Sequence, residues 1–271
     1  MTVKATLENS FSSFSNVNQS ERQSTPLISN EVSTIKSITS TDHQTTSSLN
    51  NYDLKDCKLN PNYLMRVGLK HYWNFDGNLN DSVGNAHLFG GINRNFTFNR
   101  FNISNSAINL TNGYLDMPPG VYLNSSFTLS AWIYPTKFVN WARVVEFANG
   151  AGVDTLLFAY SNQYSGKPTF DLYGSTTYRV TSSLQLKLND WHHLAFSINE
   201  SIAYIYINGT QTGVNPSFIL PLNKFRTKCY VGRSNWGSDG LAYANLDEIK
   251  IFNRALSQQE IINEMNNDLC L

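Results

Sequence analysis

Oxygen-bearing side chains crowd one short stretch, Asp76-Gly77-Asn78-Leu79-Asn80-Asp81-Ser82. Asp76, Asn78, Asn80 and Asp81 space hard oxygen ligands of the kind that Ca²⁺ prefers. The stretch is not an EF-hand loop: Asp81 stands where that loop needs glycine, and His87 stands where it needs a bidentate glutamate. A second acidic candidate lies far downstream. Period-2 reading of Asp247-Glu248-Ile249-Lys250-Ile251 sets Asp247 on the face of Ile249 and Ile251, so its carboxylate is expected to point at a core. An ionised group in that position needs hydrogen bonds, a cation or a metal. The plainer alternative makes Asp247 an acceptor of backbone amides at a strand corner, and Asp76 with Asn78 the makers of a turn.

Two tryptophans offer a different chemistry. Trp236 sits in the polar, glycine-bounded stretch Gly232-Arg233-Ser234-Asn235-Trp236-Gly237-Ser238-Asp239-Gly240. A loop indole with Arg233 and Asn235 beside it suits sugar recognition, by stacking plus polar contacts. Trp141, in Val139-Asn140-Trp141-Ala142-Arg143, is a second candidate. The alternative for each is a half-buried ring that packs its own loop. His192 and His193 are adjacent in a strand pattern, so they point to opposite faces and cannot share a metal. His192 falls in register with Leu194 and Phe196, which makes it a hydrogen-bonded core residue, and no Cys or His pair has zinc-site spacing. No G-x-S-x-G, phosphate loop or dinucleotide fingerprint is present.

These residues need strands to position them. Aromatic residues make up 13% of the 271, a composition that favours strand over helix. Period-2 runs cover Leu69 to Phe75, Phe127 to Ile133, His192 to Ile198 and Asp247 to Ile251, separated by Gly, Asn, Asp, Ser and Pro clusters. The apolar run Ile202 to Ile207 feeds into Asn208-Gly209, the strongest short hairpin signal, because both residues tolerate positive φ. That run is about a third of what a membrane span needs, so no membrane insertion is expected. Many strands with hairpin-length connections predict an all-β antiparallel sandwich. One short helix is predicted at the C-terminal end. Ser257-Gln258-Gln259-Glu260 is a capping box, and Ile261, Ile262 and Met265 supply the apolar face that follows.

Residues 1–55 read differently. They are rich in Ser and Thr, poor in large apolar residues and without a sustained period, so they are expected to form a disordered tail or stalk ahead of a domain over 56–271. Twenty basic residues balance twenty acidic ones, for a formal net charge of zero, which excludes an electrostatic nucleic-acid binder. Met1 to Glu8 contains neither an apolar h-region nor a small-residue cleavage site. The protein is therefore expected either to be cytosolic or to have its secretory segment outside this chain. N-glycosylation sequons such as Asn95, Asn102 and Asn208 are about as frequent as chance allows, and decide nothing. Cys229, in Lys228-Cys229-Tyr230-Val231, reads as a buried free thiol on a strand.

Several segments, taken in order, resemble the laminin-G-like form of the concanavalin A-like lectin and glucanase jelly roll. The opening strand Trp73-Asn74-Phe75-Asp76 with Asp81-Ser82-Val83-Gly84-Asn85 is similar to that family's "W-x-F-D … D-S-x-G-N". Gly113-Tyr114-Leu115-Asp116-Met117-Pro118, Phe127-Thr128-Leu129-Ser130-Ala131-Trp132-Ile133-Tyr134-Pro135 and Trp191-His192-His193-Leu194-Ala195 follow its next three motifs. Leu246-Asp247-Glu248-Ile249-Lys250-Ile251-Phe252-Asn253-Arg254-Ala255-Leu256-Ser257 resembles its closing strand.

The resemblance implies a two-sheet antiparallel jelly-roll sandwich whose first and last strands are neighbours. It would bring Asp247 to the loop of Asp76, Asn78 and Asp81, where related domains often hold a structural Ca²⁺. It would also bring Cys57 and Cys270 within reach of a disulfide. Glycosidases occur among the relatives, but the glucanase string E-x-D-x-x-E is absent here. The reading that follows is a non-catalytic extracellular or cell-surface module for recognition or adhesion. Its partner is a glycan or glycoprotein, with Trp236, Arg233, Asn235 and Trp141 as contacts. The alternatives are a structural protein–protein domain and a divergent glycan-active enzyme.

Overall fold

The computed structural model describes residues 67–266. The expected tail over 1–55, its boundary at residue 56 and the Cys57–Cys270 bridge lie outside the described residues.

Strands β1 (Leu69–Trp73), β2 (Phe89–Thr97), β3 (Ala107–Met117) and β4 (Phe127–Pro135) come first. An antiparallel meander follows, made of β5 (Ala142–Ala148), β6 (Leu156–Ser161), β7 (Thr169–Tyr173) and β8 (Thr177–Thr181). Next come β9 (His192–Asn199), β10 (Ile202–Ile207), β11 (Thr210–Asn215), β12 (Lys228–Val231) and β13 (Ala242–Phe252), and then helix α1 (Gln258–Asn266). The two layers of the expected sandwich are joined in one continuous hydrogen-bond path, β11-β10-β9-β4-β13-β3-β12-β5-β6-β7-β8, with β1 on β13 and β2 on β3. The link is made by two strands of 11 residues, β3 and β13. Strand β3 pairs with β13 over Ile108–Gly113, then with β12 over Leu115–Met117, so one strand serves both layers.

The path folds over so that its inner faces share one core. Phe170 of β7 stacks on Phe196 of β9 at 3.7 Å between centroids, and Phe127 of β4 packs against both rings. The two ends of the path also meet: Ser183 N donates to Thr212 O at 2.7 Å, and Asn215 Nδ2 donates to Arg179 O at 2.8 Å. The result is an all-β antiparallel, jelly-roll-like sandwich with one short C-terminal helix.

Local signals in the sequence account for its corners. Asn208 and Gly209 have φ of 50° and 74°, the two positive values that a type I′ hairpin requires. Ser257 and Glu260 form the capping box, with Ser257 N donating to Glu260 Oε2 and Glu260 N to Ser257 Oγ. Ile261 then packs with Leu256, Phe252 and Tyr206, so α1 lies on the outer side of β9, β10 and β13.

Strict period 2 fails in β13, and this corrects the expected orientation of Asp247. Asp247 pairs with Trp132 of β4, and Lys250 pairs with Ser130. Two positions on one face are thus three residues apart instead of two. Glu248, at φ 54°, is the extra residue of a β-bulge. Ile249 and Ile251 point into the core, while Asp247 and Lys250 share the opposite face with Trp132.

Candidate functional site

Three rings from separate parts of the chain meet around a cleft of about 130 Å³, lined by Trp141, Arg143, Tyr173, Trp236 and Asp239. Trp141 precedes β5, Tyr173 ends β7, and Trp236 stands in the loop between β12 and β13. The Tyr173 and Trp236 rings are 5.2 Å apart and tilted by 52°. All three are half-buried, so each keeps surface available to a ligand. Trp141 adopts φ 49°, a conformation that costs a bulky residue about 1–3 kcal/mol and persists only where its surroundings hold it. Here Arg143 Nη1 donates to Trp141 O at 2.5 Å, and the guanidinium groups of Arg179 and Arg143 lie 4.8 and 5.6 Å from the indole.

The floor of the cleft is a closed charge network. Arg143, fully buried, donates through Nε to Glu146 Oε2 at 2.7 Å and through Nη2 to Asp239 Oδ2 at 2.9 Å and Ser234 Oγ at 3.0 Å. Glu146 Oε1 accepts Asn235 N and Nδ2, both at 2.8 Å. Asp239 Oδ1 accepts Asn140 Nδ2. On the adjoining strands Arg179 grips both oxygens of Asp171 at 2.7 Å, which raises the Arg179 pKa. Burial, reinforced by the Asp171 charge, raises the Tyr173 hydroxyl above its ordinary value. The network ties the 232–240 loop to β5 and fixes the angle at which Trp236 faces Tyr173.

Of the four expected ligand residues, Trp141 and Trp236 line this cleft. Asn235 does not, because its amide is turned inward to Glu146 and to Lys228 O. Arg233 stacks instead on Tyr230 and Tyr114, at 4.5 and 4.7 Å. Sequence reading passed over Tyr173, Arg143 and Asp239 as site residues. Arg143 and Asp239 stand in the two tryptophan stretches, and their alternate charge is the signal that could have paired those stretches. Tyr173 gave only the weak signal of a strand-end aromatic before glycine.

The expected calcium ligands are not brought into one set. Asp81 is buried and already engaged: Oδ1 accepts Tyr72 N, Val83 N and Gly84 N, and Oδ2 accepts Ala86 N and lies 2.6 Å from His71 Nδ1. Burial alone would raise its pKa, but these donors hold it well below the carboxylate range. Asn78 makes turn bonds, its Nδ2 donating to Asp76 O and its Oδ1 accepting Asn80 N. Asp76 Oδ2 accepts Asn74 Nδ2. Among the described residues no three His, Cys, Asp or Glu side chains are grouped so as to hold a metal ion.

Asp247 belongs to a second network, beneath α1. Its Oδ2 lies 3.2 Å from Arg100 Nη1, and the Arg100 guanidinium covers the Trp132 ring at 4.4 Å. Burial and the Glu248 charge outweigh Arg100 and push the Asp247 carboxyl up to about 8. Its Oδ1 and the Trp132 Nε1 are buried without a hydrogen-bond partner. Next to it Lys250 Nζ bridges Glu248 Oε2 and Glu264 Oε1, each at 2.8 Å, and Tyr72 Oη donates to Glu248 Oε2. His193 Nε2 approaches Glu264 Oε2 at 2.9 Å without hydrogen-bond alignment. Burial would raise Glu264, yet Lys250 and His193 hold it low. His192 pairs with Ile133 and His193 with Trp132, so the two rings face opposite sides as the alternation predicts. Cys229 is a buried free thiol, pushed up to about 11 by burial.

The family model described as the concanavalin A-like lectin/glucanases superfamily matches residues 109–262. No curated protein matches the sequence. Among solved structures, domain 4 of a GH43 extracellular arabinanase from Geobacillus stearothermophilus, in complex with arabinotriose, is 20% identical with a TM-score of 0.58. That match covers 72% of this chain and 97% of the other. The binding domain of Paraclostridial mosquitocidal protein 1 is 17% identical, with a TM-score of 0.57, over 79% of this chain and 54% of that one. The binding domain of botulinum neurotoxin DC, in complex with SialylT, is 15% identical, with a TM-score of 0.53, over 74% and 52%. The match thus spans about half the length of the toxin domains, and at these identities the likeness is one of fold.

Proposed function

Because this chain belongs to the concanavalin A-like lectin/glucanases superfamily, we propose that it acts as a non-catalytic glycan-binding module of an extracellular or cell-surface protein, with the Ser/Thr-rich stretch over 1–55 as a spacer. The observation that carries this reading is the cleft of Trp141, Tyr173 and Trp236. Half-buried rings at fixed angles offer flat faces to the C–H side of a sugar ring, and Asp239, partly exposed, offers a polar contact at the edge. Two relatives point the same way: an arabinanase domain solved with arabinotriose and a toxin binding domain solved with a sialylated ligand.

The same geometry argues against glycoside hydrolysis. Glycosidases place two carboxyl groups about the scissile bond, one able to donate a proton and one to attack or to activate water. Here Glu146, Asp239 and Asp171 each have both oxygens engaged by donors from the protein, leaving no uncommitted carboxylate beside the rings.

The test is a glycan array followed by calorimetric titration of a hit. Trp236→Ala and Trp141→Ala are expected to lower affinity at least tenfold with little change in melting temperature. A real saccharide ligand whose affinity survives both changes would remove the cleft as its site. Capture of a protein partner that no sugar displaces would make the domain a structural interaction module instead.

A further inference from the structure

The aromatic cleft has a neighbour. Tyr173 also lines a second cleft, of about 190 Å³, with Asp154, Ser175, Thr176, Tyr178, Lys224 and Arg226 among its walls. The two recesses therefore share a wall residue, an arrangement that suits consecutive units of one ligand chain.

The charge in this second recess differs from that in the first. Arg226 is only 2% exposed, yet among the described residues no carboxylate forms an ion pair with it. Its Nε donates to Asp154 O at 2.7 Å and its Nη1 to Lys224 O at 3.2 Å, both neutral carbonyls. Nη2 has no hydrogen-bond partner among the described residues. Asp154 acts on the guanidinium through space, with its own Oδ2 accepting Asn149 Nδ2. Lys224 stands exposed at the rim and adds a second cation. Arg143 and Arg179, the other arginines of this face, each face a carboxylate of the protein. A buried guanidinium whose hydrogen bonds go only to neutral carbonyls, with Asp154 acting at a distance, is under-compensated, and an entering carboxylate would supply charge-assisted hydrogen bonds.

We infer that the recess formed by Arg226 and Lys224 is a subsite for the carboxylate of an acidic sugar, with the neighbouring unit of the same saccharide held in the Trp141–Tyr173–Trp236 cleft. This rests on the glycan-binding reading above and names the ligand class: an oligosaccharide carrying a sialate or a uronate. Tyr173 is the wall shared by the two units. The hydroxyls of Ser175, Thr176 and Tyr178 supply polar contacts to the acidic unit.

The experiment uses the full chain on an array of matched saccharides, each present as the neutral form, with a terminal sialic acid, and with a terminal glucuronic acid. The best pair is then titrated. The acidic member is expected to bind about tenfold tighter, and rising salt should narrow that gap. Lys224→Ala, at an exposed position, and Arg226→Lys should each remove most of the preference while neutral-member affinity stays. Trp236→Ala should weaken both members together. The sialylated and glucuronylated arms show which acid fits. Equal affinity for acidic and neutral members, or a preference that survives both cation changes, would overturn the subsite and leave the aromatic cleft standing. Failure to bind any saccharide would overturn the glycan reading, and the subsite with it.

Discussion

In the floor of the aromatic cleft the charges are matched and each carboxylate oxygen has a hydrogen bond: Arg143 joins Glu146 to Asp239, and Arg179 clamps Asp171. Beneath α1 the arrangement is different. Asp247 keeps one oxygen without a partner and Trp132 keeps its indole N–H unpaired, while Glu248 and Asp76 add negative charge around Asp247. The first network fixes a half-open surface, where solvent stays close and each charge is compensated locally. The second lies between a strand bulge and a helix, where charge holds two elements together and some of it is left strained. In this domain, rigidity of the aromatic cleft and adhesion of the C-terminal helix rest on separate sets of buried ions.

The comparison breaks most readily at Glu264. Replacing Glu264 by Ala leaves Lys250 and His193 buried and short of their helix partner. Loss of one partner of a buried pair costs about 3–5 kcal/mol, so urea unfolding should show a loss of that order, with α1 detached. Asp239→Ala is the matching change in the cleft. Arg143 would keep Glu146 and Ser234, and Asp239 is partly exposed, so the expected loss is only about 1–2 kcal/mol. Equal losses for the two variants would mean that both networks are structural in the same sense.

The next effect is one of pH. Asp247 is pushed up to about 8 in the folded chain, from an ordinary carboxylate value near 3.8. The folded state therefore holds a proton that the unfolded state has already released. Its contribution is fully present below the ordinary carboxylate range and is lost as pH rises towards 8. Arg100, Glu248 and Asp76 are the charged groups acting on it. Wild-type stability should fall by roughly 3–4 kcal/mol more than that of Asp247→Asn between pH 5 and 8, read from urea midpoints. Asp81 has the opposite sign: its lowered pKa stabilises above the carboxylate range and is lost in acid. The cleft has no histidine in its lining, so saccharide affinity should stay flat over the same window. Parallel pH slopes for wild type and Asp247→Asn would place the titration elsewhere.

How much of this was legible in the sequence depended on how local the cause is. The I′ turn at Asn208-Gly209, the capping box at Ser257 and the opposite faces of His192 and His193 each follow from a few adjacent residues, and each is present. Asp247 was assigned to the wrong face because alternation breaks at Glu248, and a bulge leaves no mark in polarity when the inserted residue is itself polar. The jelly-roll sandwich was legible, but the way β3 and β13 carry the ladder from one layer to the other was not, since a strand's pairing partners are set by tertiary register. In the cleft, the two tryptophans were legible as loop aromatics. Tyr173 and Arg226 were not, because their meaning comes from what stands opposite them. Asn235 shows the reverse case: a side chain that reads as open to a ligand is engaged by Glu146.

The smallest expected effect sharpens the comparison at a third place, the loop of Asp76 and Asp81. A ligand that binds only the folded state raises stability by RT ln(1 + [L]/Kd), so a structural Ca²⁺ would lift the melting temperature by several degrees over a chelator control. Its spacing of Asp76, Asn78 and Asp81 suggests such a site, but the geometry assigns those oxygens other work. Asp81 accepts four backbone amides and faces His71, and Asn78 closes the turn that Asp76 begins. A cation would have to displace those amides, each already in a charge-assisted hydrogen bond. Melting temperatures in calcium and in chelator are therefore expected to agree within about 1 °C, whereas Asp81→Ala should cost about 2–3 kcal/mol by leaving buried amides unpaired. A calcium-dependent rise of several degrees would show that the loop rearranges to release Asp81, and that this carboxylate serves a metal as well as the chain's own turn.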